Sequence, residues 1–184
     1  MSSSKRKIET ISSSTSSDEV FEYERRGQTV PKDIVSVKFH PSVIEVDREA
    51  FGECKGLRDV ILNDGLREIG GSAFRWCSSL QRINIPPTVT KIGNNAFSNC
   101  SSLREVVLND GLNNIGAYTY YGCAALQTIA VPSTVLEIGN YAFLNCRNLT
   151  EVVLNDGLKK IGKETFAKCS SLERITILPL LLRR

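Results

Sequence analysis

Six cysteines stand at positions 54, 77, 100, 123, 146 and 169, each 23 residues after the one before. A constant interval of that size across most of a chain leaves few folds open, because equivalent letters must meet equivalent surroundings again and again. Other columns keep the same step. Ile69, Ile92, Ile115, Ile138 and Ile161 are each followed by glycine, and Phe51, Phe74, Phe97, Tyr120, Phe143 and Phe166 form an aromatic column. Leu57, Leu80, Leu103, Leu126, Leu149 and Leu172 come three residues after the cysteines. A β-branched column (Val60, Ile83, Val106, Ile129, Val152, Ile175) and an apolar one (Leu62, Ile85, Leu108, Val131, Leu154, Ile177) follow.

One unit of this kind cannot bury its apolar columns alone. Stacked at about 4.8 Å per rung, units put like residue over like and build a continuous core, which predicts a solenoid. Within a unit, Leu103–Leu108 reads as a strand with Val106 and Leu108 inward and Glu105 and Val107 outward. A turn follows, then a second short extended piece leading to Ile-Gly, where glycine suits a tight bend or close backbone approach. The segment NNAFSNC at 94–100 reads as one turn of helix, with Phe97 and Cys100 three apart on one face.

The turns alternate. NDGL occupies 63–66, 109–112 and 155–158, whereas PPTV and PSTV occupy 86–89 and 132–135. The alternation doubles the period to 46 and explains why the octapeptide EVVLNDGL stands at both 105–112 and 151–158.

The residues now carry a resemblance. The pattern I-G-x-x-A-F-x-x-C-x-x-L-x-x-V/I-x-L resembles the BspA-like (Treponema pallidum-type) leucine-rich-repeat family over about residues 34–177. The resemblance implies a leucine-rich-repeat, right-handed β/α superhelix: short parallel strands, a helical turn per rung, and a curved surface used for molecular recognition. It brings no catalytic residues. The slot that holds the ladder asparagine of commoner leucine-rich repeats contains Gly65, Thr88, Gly111, Thr134 and Gly157, so that ladder is expected to be missing.

On this reading residues 1–19 are a disordered serine-rich tail, 20–45 an N-terminal cap and partial repeat, 46–177 six rungs, and 178–184 an uncapped apolar end. That end reads either as a cut from a longer array or as a face for end-to-end self-association through the C-terminal rung. A net charge of +3 in 184 residues gives no reason to expect nucleic acid or membrane as partner. The longest apolar run, ILPLLL at 177–182, is far short of a span, and the first 20 residues lack a signal-like apolar stretch. A cytoplasmic location is expected, with KRK at 5–7 a weak nuclear-import candidate.

No metal, cofactor or catalytic site is expected. A linear cysteine column does not converge on a tetrahedron, and neighbouring β-carbons at strand spacing sit wider than a disulfide prefers, so buried thiols acting as small apolar wedges are the reading. His40, the only histidine, lies in the turn FHPSV as a substitute for Asn or Pro.

Two surface features stand out. Ile61, Val107 and Val153 lie outward on alternate rungs, as an apolar stripe or as ordinary strand formers. The rung GAYTYYGC breaks the Ala-Phe rule, and Tyr118 and Tyr121, with Tyr141 and Leu144 one rung on, place four large residues on a face that is not the core. Arg75 and Trp76 lie on the same side two rungs earlier. Either the rings cover backbone, or they bind a partner. The function expected is a non-enzymatic one, recognition of an unidentified protein. A cell-surface or adhesin-like module and a structural segment of a longer array are the alternatives.

Overall fold

The structure, a computed structural model, describes residues 20–179, so the expected tail at 1–19 lies outside it, as does the expected apolar end at 178–184 from residue 180 onward. The chain winds as a parallel β-solenoid whose rungs have three sides. The first side carries β1 (Val20–Tyr23), β2 (Ser36–Phe39), β4 (Asp59–Ile61), β6 (Arg82–Asn84), β8 (Glu105–Val107), β10 (Thr128–Ala130), β12 (Glu151–Asn155) and β14 (Arg174–Leu178). The second carries two-residue strands ending in the isoleucine or its equivalent: β3 (Glu45–Val46), β5 (Glu68–Ile69), β7 (Lys91–Ile92), β9 (Asn114–Ile115), β11 (Glu137–Ile138) and β13 (Lys160–Ile161). These six form one sheet in which each partner lies 23 residues away, as in Ile69↔Ile92 and Ile115↔Ile138.

The columns stack as the period requires. Ring centroids from Phe51 through Phe74, Phe97, Tyr120, Phe143 and Phe166 are 5.0, 5.3, 5.6, 5.3 and 5.5 Å apart, with planes within 14° of parallel. The Leu column from Leu57 to Leu149 and five of the six cysteines are buried. Glycine after each isoleucine serves close approach rather than a special φ. A β-carbon on Gly139 would sit 2.5 Å from the Ala117 amide nitrogen of the rung before.

The third side corrects one expectation: it is not helical, and the described residues contain no helix. Along 95–100, every second amide bonds within the rung, Ala96 to Gly93 O, Ser98 to Asn95 O and Cys100 to Phe97 O. The amides between them, of Asn95, Phe97 and Asn99, donate to Ala117, Thr119 and Tyr121 of the next rung. A helix would satisfy all of them internally. Here the residues two before and two after each ring adopt positive φ, for example Asn95 (61°) and Asn99 (60°). The result is a ribbon of successive turns, and Phe97 and Cys100 still point inward together because i→i+3 turns share that spacing.

The two turn flavours are complementary halves of a clamp. Asn109 donates its side-chain amide to Ile85 O (3.0 Å) and Pro86 O (2.6 Å) of the preceding proline turn, while its Oδ1 accepts the Gly111 amide (2.6 Å). Asn63 does the same for His40 O and Val43 O and accepts the Gly65 amide; Asn155 donates to Pro132 O and Val135 O, while its buried Oδ1 has no hydrogen-bond partner. The proline turns likewise donate to the asparagine turn of the rung before, Thr88 Oγ1 to Asp64 O and Thr134 Oγ1 to Leu112 O. The ladder slot is empty of asparagine, as expected, but an asparagine two residues earlier bridges alternate rungs instead.

Candidate recognition surface

The cysteine column is a hydrogen-bonded ladder as well as a set of wedges. The thiols of Cys77, Cys100, Cys123, Cys146 and Cys169 lie 3.1–3.2 Å from the carbonyl oxygen of the aromatic residue in the rung before and donate to it. Burial pushes the Cys100 thiol up to about 12 and raises Cys77 and Cys123 as well. At the last rung the neighbouring thiols of Cys146 and the half-buried Cys169 influence each other, which raises the former and lowers the latter. All six thiols are free, and among the described residues no group of three or more His, Cys, Asp or Glu is placed to hold a metal ion.

His40 sits in an exposed turn. Its Nδ1 accepts the Ser42 backbone amide at 3.2 Å and lies 2.7 Å from Ser42 Oγ. Asn63 Oδ1 treats the Gly65 amide the same way, so the imidazole imitates a turn asparagine.

The turn ribbon holds the aromatic cluster. Tyr118 and Tyr141, one rung apart, stack with centroids 4.8 Å apart and planes 21° from parallel, and Tyr121 meets Tyr118 edge-on at 6.0 Å. Tyr118 is 36% exposed, and Tyr121, Tyr141 and Leu144 are half-buried. The rings therefore pack on one another and still present a face to solvent. Both Tyr118 (φ 58°) and Tyr141 (φ 60°) occupy left-handed backbone positions, as does exposed Trp76 (φ 64°). Equivalent places elsewhere in the ribbon hold Ser72, Asn95, Asn99, Gly122 and Asn145, and the long charged residues Glu49, Glu53, Glu164 and Lys168. Small polar residues and glycine tolerate that conformation, whereas a bulky ring in it is uncommon and strained.

Trp76 borders a cleft of about 570 Å³ with Arg75, Lys55, Lys32, Glu49 and Glu53. On the strand side Ile61 and Val107 are 55% and 42% exposed, while Val153 is half-buried beneath the longer β12–β14 pairing. The stripe is thus interrupted at its third member. In the last rung Ile175 and Ile177, which continue core columns, are 50% and 63% exposed.

A stacked, helix-free rung of 23 residues with buried Phe and Cys ladders defines a leucine-rich-repeat solenoid. The chain belongs to the BspA type leucine rich repeat region family, whose model matches six copies over residues 31–147 and 102–181. Among solved structures, a leucine rich repeat protein of T. pallidum is 33% identical with a TM-score of 0.74, covering 83% of this chain and 71% of that one. A leucine rich cell surface protein of Faecalibacterium prausnitzii is 18% identical with a TM-score of 0.52, covering 78% of this chain and 64% of that one. No curated protein matches the sequence. No helix among the described residues is long and apolar enough to cross a membrane.

Proposed function

We propose that this chain is a non-enzymatic recognition module that binds another protein through the tyrosine cluster of its turn ribbon. The observation that carries the reading is the coincidence of exposure and strain. Two adjacent rungs place stacked tyrosines at left-handed positions where the other rungs hold Glu49, Ser72, Asn95 and Glu164. Backbone strain of roughly 1–3 kcal/mol per residue persists where a fold has a use for it. Clustered tyrosines provide large, rigid contact area at little entropic cost, the usual make-up of an interface hot spot.

The test replaces Tyr118, Tyr121, Tyr141 and Leu144 together by Ser, a residue the same ribbon already holds at φ 57° in Ser72. Proteins captured by the wild type from the native cell are identified, and the purified partner is titrated against both forms. The reading expects at least a tenfold loss of affinity in a variant that keeps its circular dichroism spectrum. Equal affinity rejects it.

The first reading takes the module to act inside the cell. A second reading, a cell-surface module, draws on the description of the F. prausnitzii protein as a leucine rich cell surface protein. Fractionation of the native cell separates the two: protein in the soluble interior supports the first, and protein accessible to external protease the second.

A further inference from the structure

On the turn ribbon the rungs hold one another through the main chain. The amides of Ser72, Phe74 and Trp76 donate to the carbonyls of Asn94, Ala96 and Ser98, and those of Asn95, Phe97 and Asn99 to Ala117, Thr119 and Tyr121. The amides of Tyr118, Tyr120 and Gly122 reach Asn140, Ala142 and Leu144 in the same way. The main-chain groups that an added strand would need are therefore taken along this stretch. A partner of the tyrosine cluster is held by side chains.

Those side chains are uncharged. In a chain with 23% charged residues, 92–103, 111–136 and 138–146 contain no Asp, Glu, Lys, Arg or His, which covers the ribbon of three successive rungs. The hydroxyls of Tyr118, Tyr121 and Tyr141 and the side-chain amide of Asn95 make no hydrogen bond among the described residues. The surface thus offers aromatic rings beside neutral hydrogen-bond donors. A charged segment finds no counter-ion on it, and rings that end in hydroxyls do not make the apolar groove an amphipathic helix needs.

Proline-rich segments answer that description. In a polyproline II helix the carbonyls are unpaired, proline has no N–H to satisfy, and its ring packs on aromatic faces. The spacing agrees. Exposed aromatics on the ribbon sit two rungs apart, Trp76 (41% exposed) in one and Tyr118 and Tyr121 in the other, with Asn95, buried Ser98 and Asn99 at the equivalent places between. The core rings of the same rungs, Phe74, Phe97 and Tyr120, stand 5.3 and 5.6 Å apart. Two rungs advance by roughly 11 Å and residues three apart in a polyproline II helix by about 9.3 Å, a difference that side chains absorb.

We propose that the tyrosine cluster and Trp76 together bind a proline-rich segment of the partner protein, lying along the ribbon as a polyproline II helix. One proline packs on Trp76 and the proline three residues away on Tyr118 and Tyr121, while the tyrosine hydroxyls and the Asn95 amide donate to the segment's carbonyls. The inference rests on the tyrosine cluster being the recognition surface, and adds Trp76 and the chemistry of what is recognised.

The probe is a blocked ten-residue peptide, Pro-Ala-Ala-Pro-Ala-Ala-Pro-Ala-Ala-Pro, titrated into the ¹⁵N-labelled chain. A copy with Ser for every Pro is titrated beside it, and so is maltohexaose, a neutral ligand of another class. The proline peptide should shift amides of residues 76, 95–99 and 118–122 and bind at least tenfold more tightly than the serine copy. Its affinity should change less than threefold between about 50 and 500 mM NaCl, because the contact is uncharged. Trp76→Asn, a residue the same column holds in Asn99 and Asn145, should weaken binding at least fivefold and leave the circular dichroism spectrum unchanged. Equal binding of the two peptides, no binding of either, binding of maltohexaose alone, or an unchanged affinity in Trp76→Asn each overturns the inference. Protein recognition by the cluster is judged separately. A native partner that loses affinity for the quadruple Ser variant and is not displaced by the proline peptide upholds that reading and overturns this inference.

Discussion

The side-chain nitrogen of Asn109 lies 2.6 Å from the carbonyl oxygen of Pro86, so the asparagine turn of one rung holds the proline turn of the rung before it. The proline cannot donate from its own nitrogen, and its carbonyl is available as an acceptor. The 46-residue repetition of the sequence thus has a physical unit behind it: a proline-turn rung followed by an asparagine-turn rung that caps it. Asn109→Ala removes two donors and one acceptor from partly buried backbone groups, and should cost about 2 kcal/mol on the scale of unsatisfied buried polar groups. Asn109→Asp keeps the acceptor for Gly111 but not the donors and should be nearly as damaging. Exposed Asn113→Ala is the control and should leave the urea midpoint unchanged.

Tyr120 occupies the aromatic column with its hydroxyl buried and without a hydrogen-bond partner. The five phenylalanines of that column avoid the penalty. Tyr120→Phe should therefore stabilise the fold by about 1 kcal/mol, the low end of the cost of an unsatisfied buried polar group. Equilibrium urea unfolding measures it, and a lowered midpoint would mean that the hydroxyl has a partner after all.

The cysteine ladder makes the fold sensitive to alkali. The Cys100 thiol is raised by burial from 9.0 to about 12, so between those values the unfolded chain releases a proton that the native one keeps. Stability contributed by the protonated thiol is complete below pH 9 and falls as pH rises through that window, by about 1.4 kcal/mol per pH unit for each such thiol. Unfolding curves at pH 7.5 and 10.5 should differ accordingly, and Cys100→Ala should reduce the difference. In the native state at neutral pH, iodoacetamide should label Cys169 first, because it is half-buried and its neighbour Cys146 holds its thiol below the ordinary value.

Tyr118→Asn should leave stability within about 1 kcal/mol of wild type, since relief of the left-handed backbone offsets the lost ring stacking. The same change at Tyr120, two residues on and fully buried, should prevent stable folding. Thermal unfolding of the two variants gives the comparison.

The columns were readable because burial acts on each equivalent position alone. Ile92, Phe97, Cys100 and Leu103 needed only their spacing to be placed inside. The turn ribbon resembles a helix in sequence because Phe97 and Cys100 satisfy i, i+3 facing in both. The signal that separates the two was present in Asn95, Asn99, Gly122 and Asn145, residues that favour positive φ. The asparagine clamp was hidden for a different reason: Asn109 is explained only together with carbonyls 23 and 24 residues away. The stacking of Tyr118 on Tyr141 follows directly from their interval, whereas the missing pairing between β4 and β6 has no letter that marks it.

The stacking of equivalent residues is tested most directly by the positions of the six cysteine sulfurs. A long-wavelength anomalous difference map from crystals should show them as a single row, spaced at about 5 Å in keeping with the separation of neighbouring strands. Sulfur peaks scattered through the molecule, or grouped in bonded pairs, would contradict it.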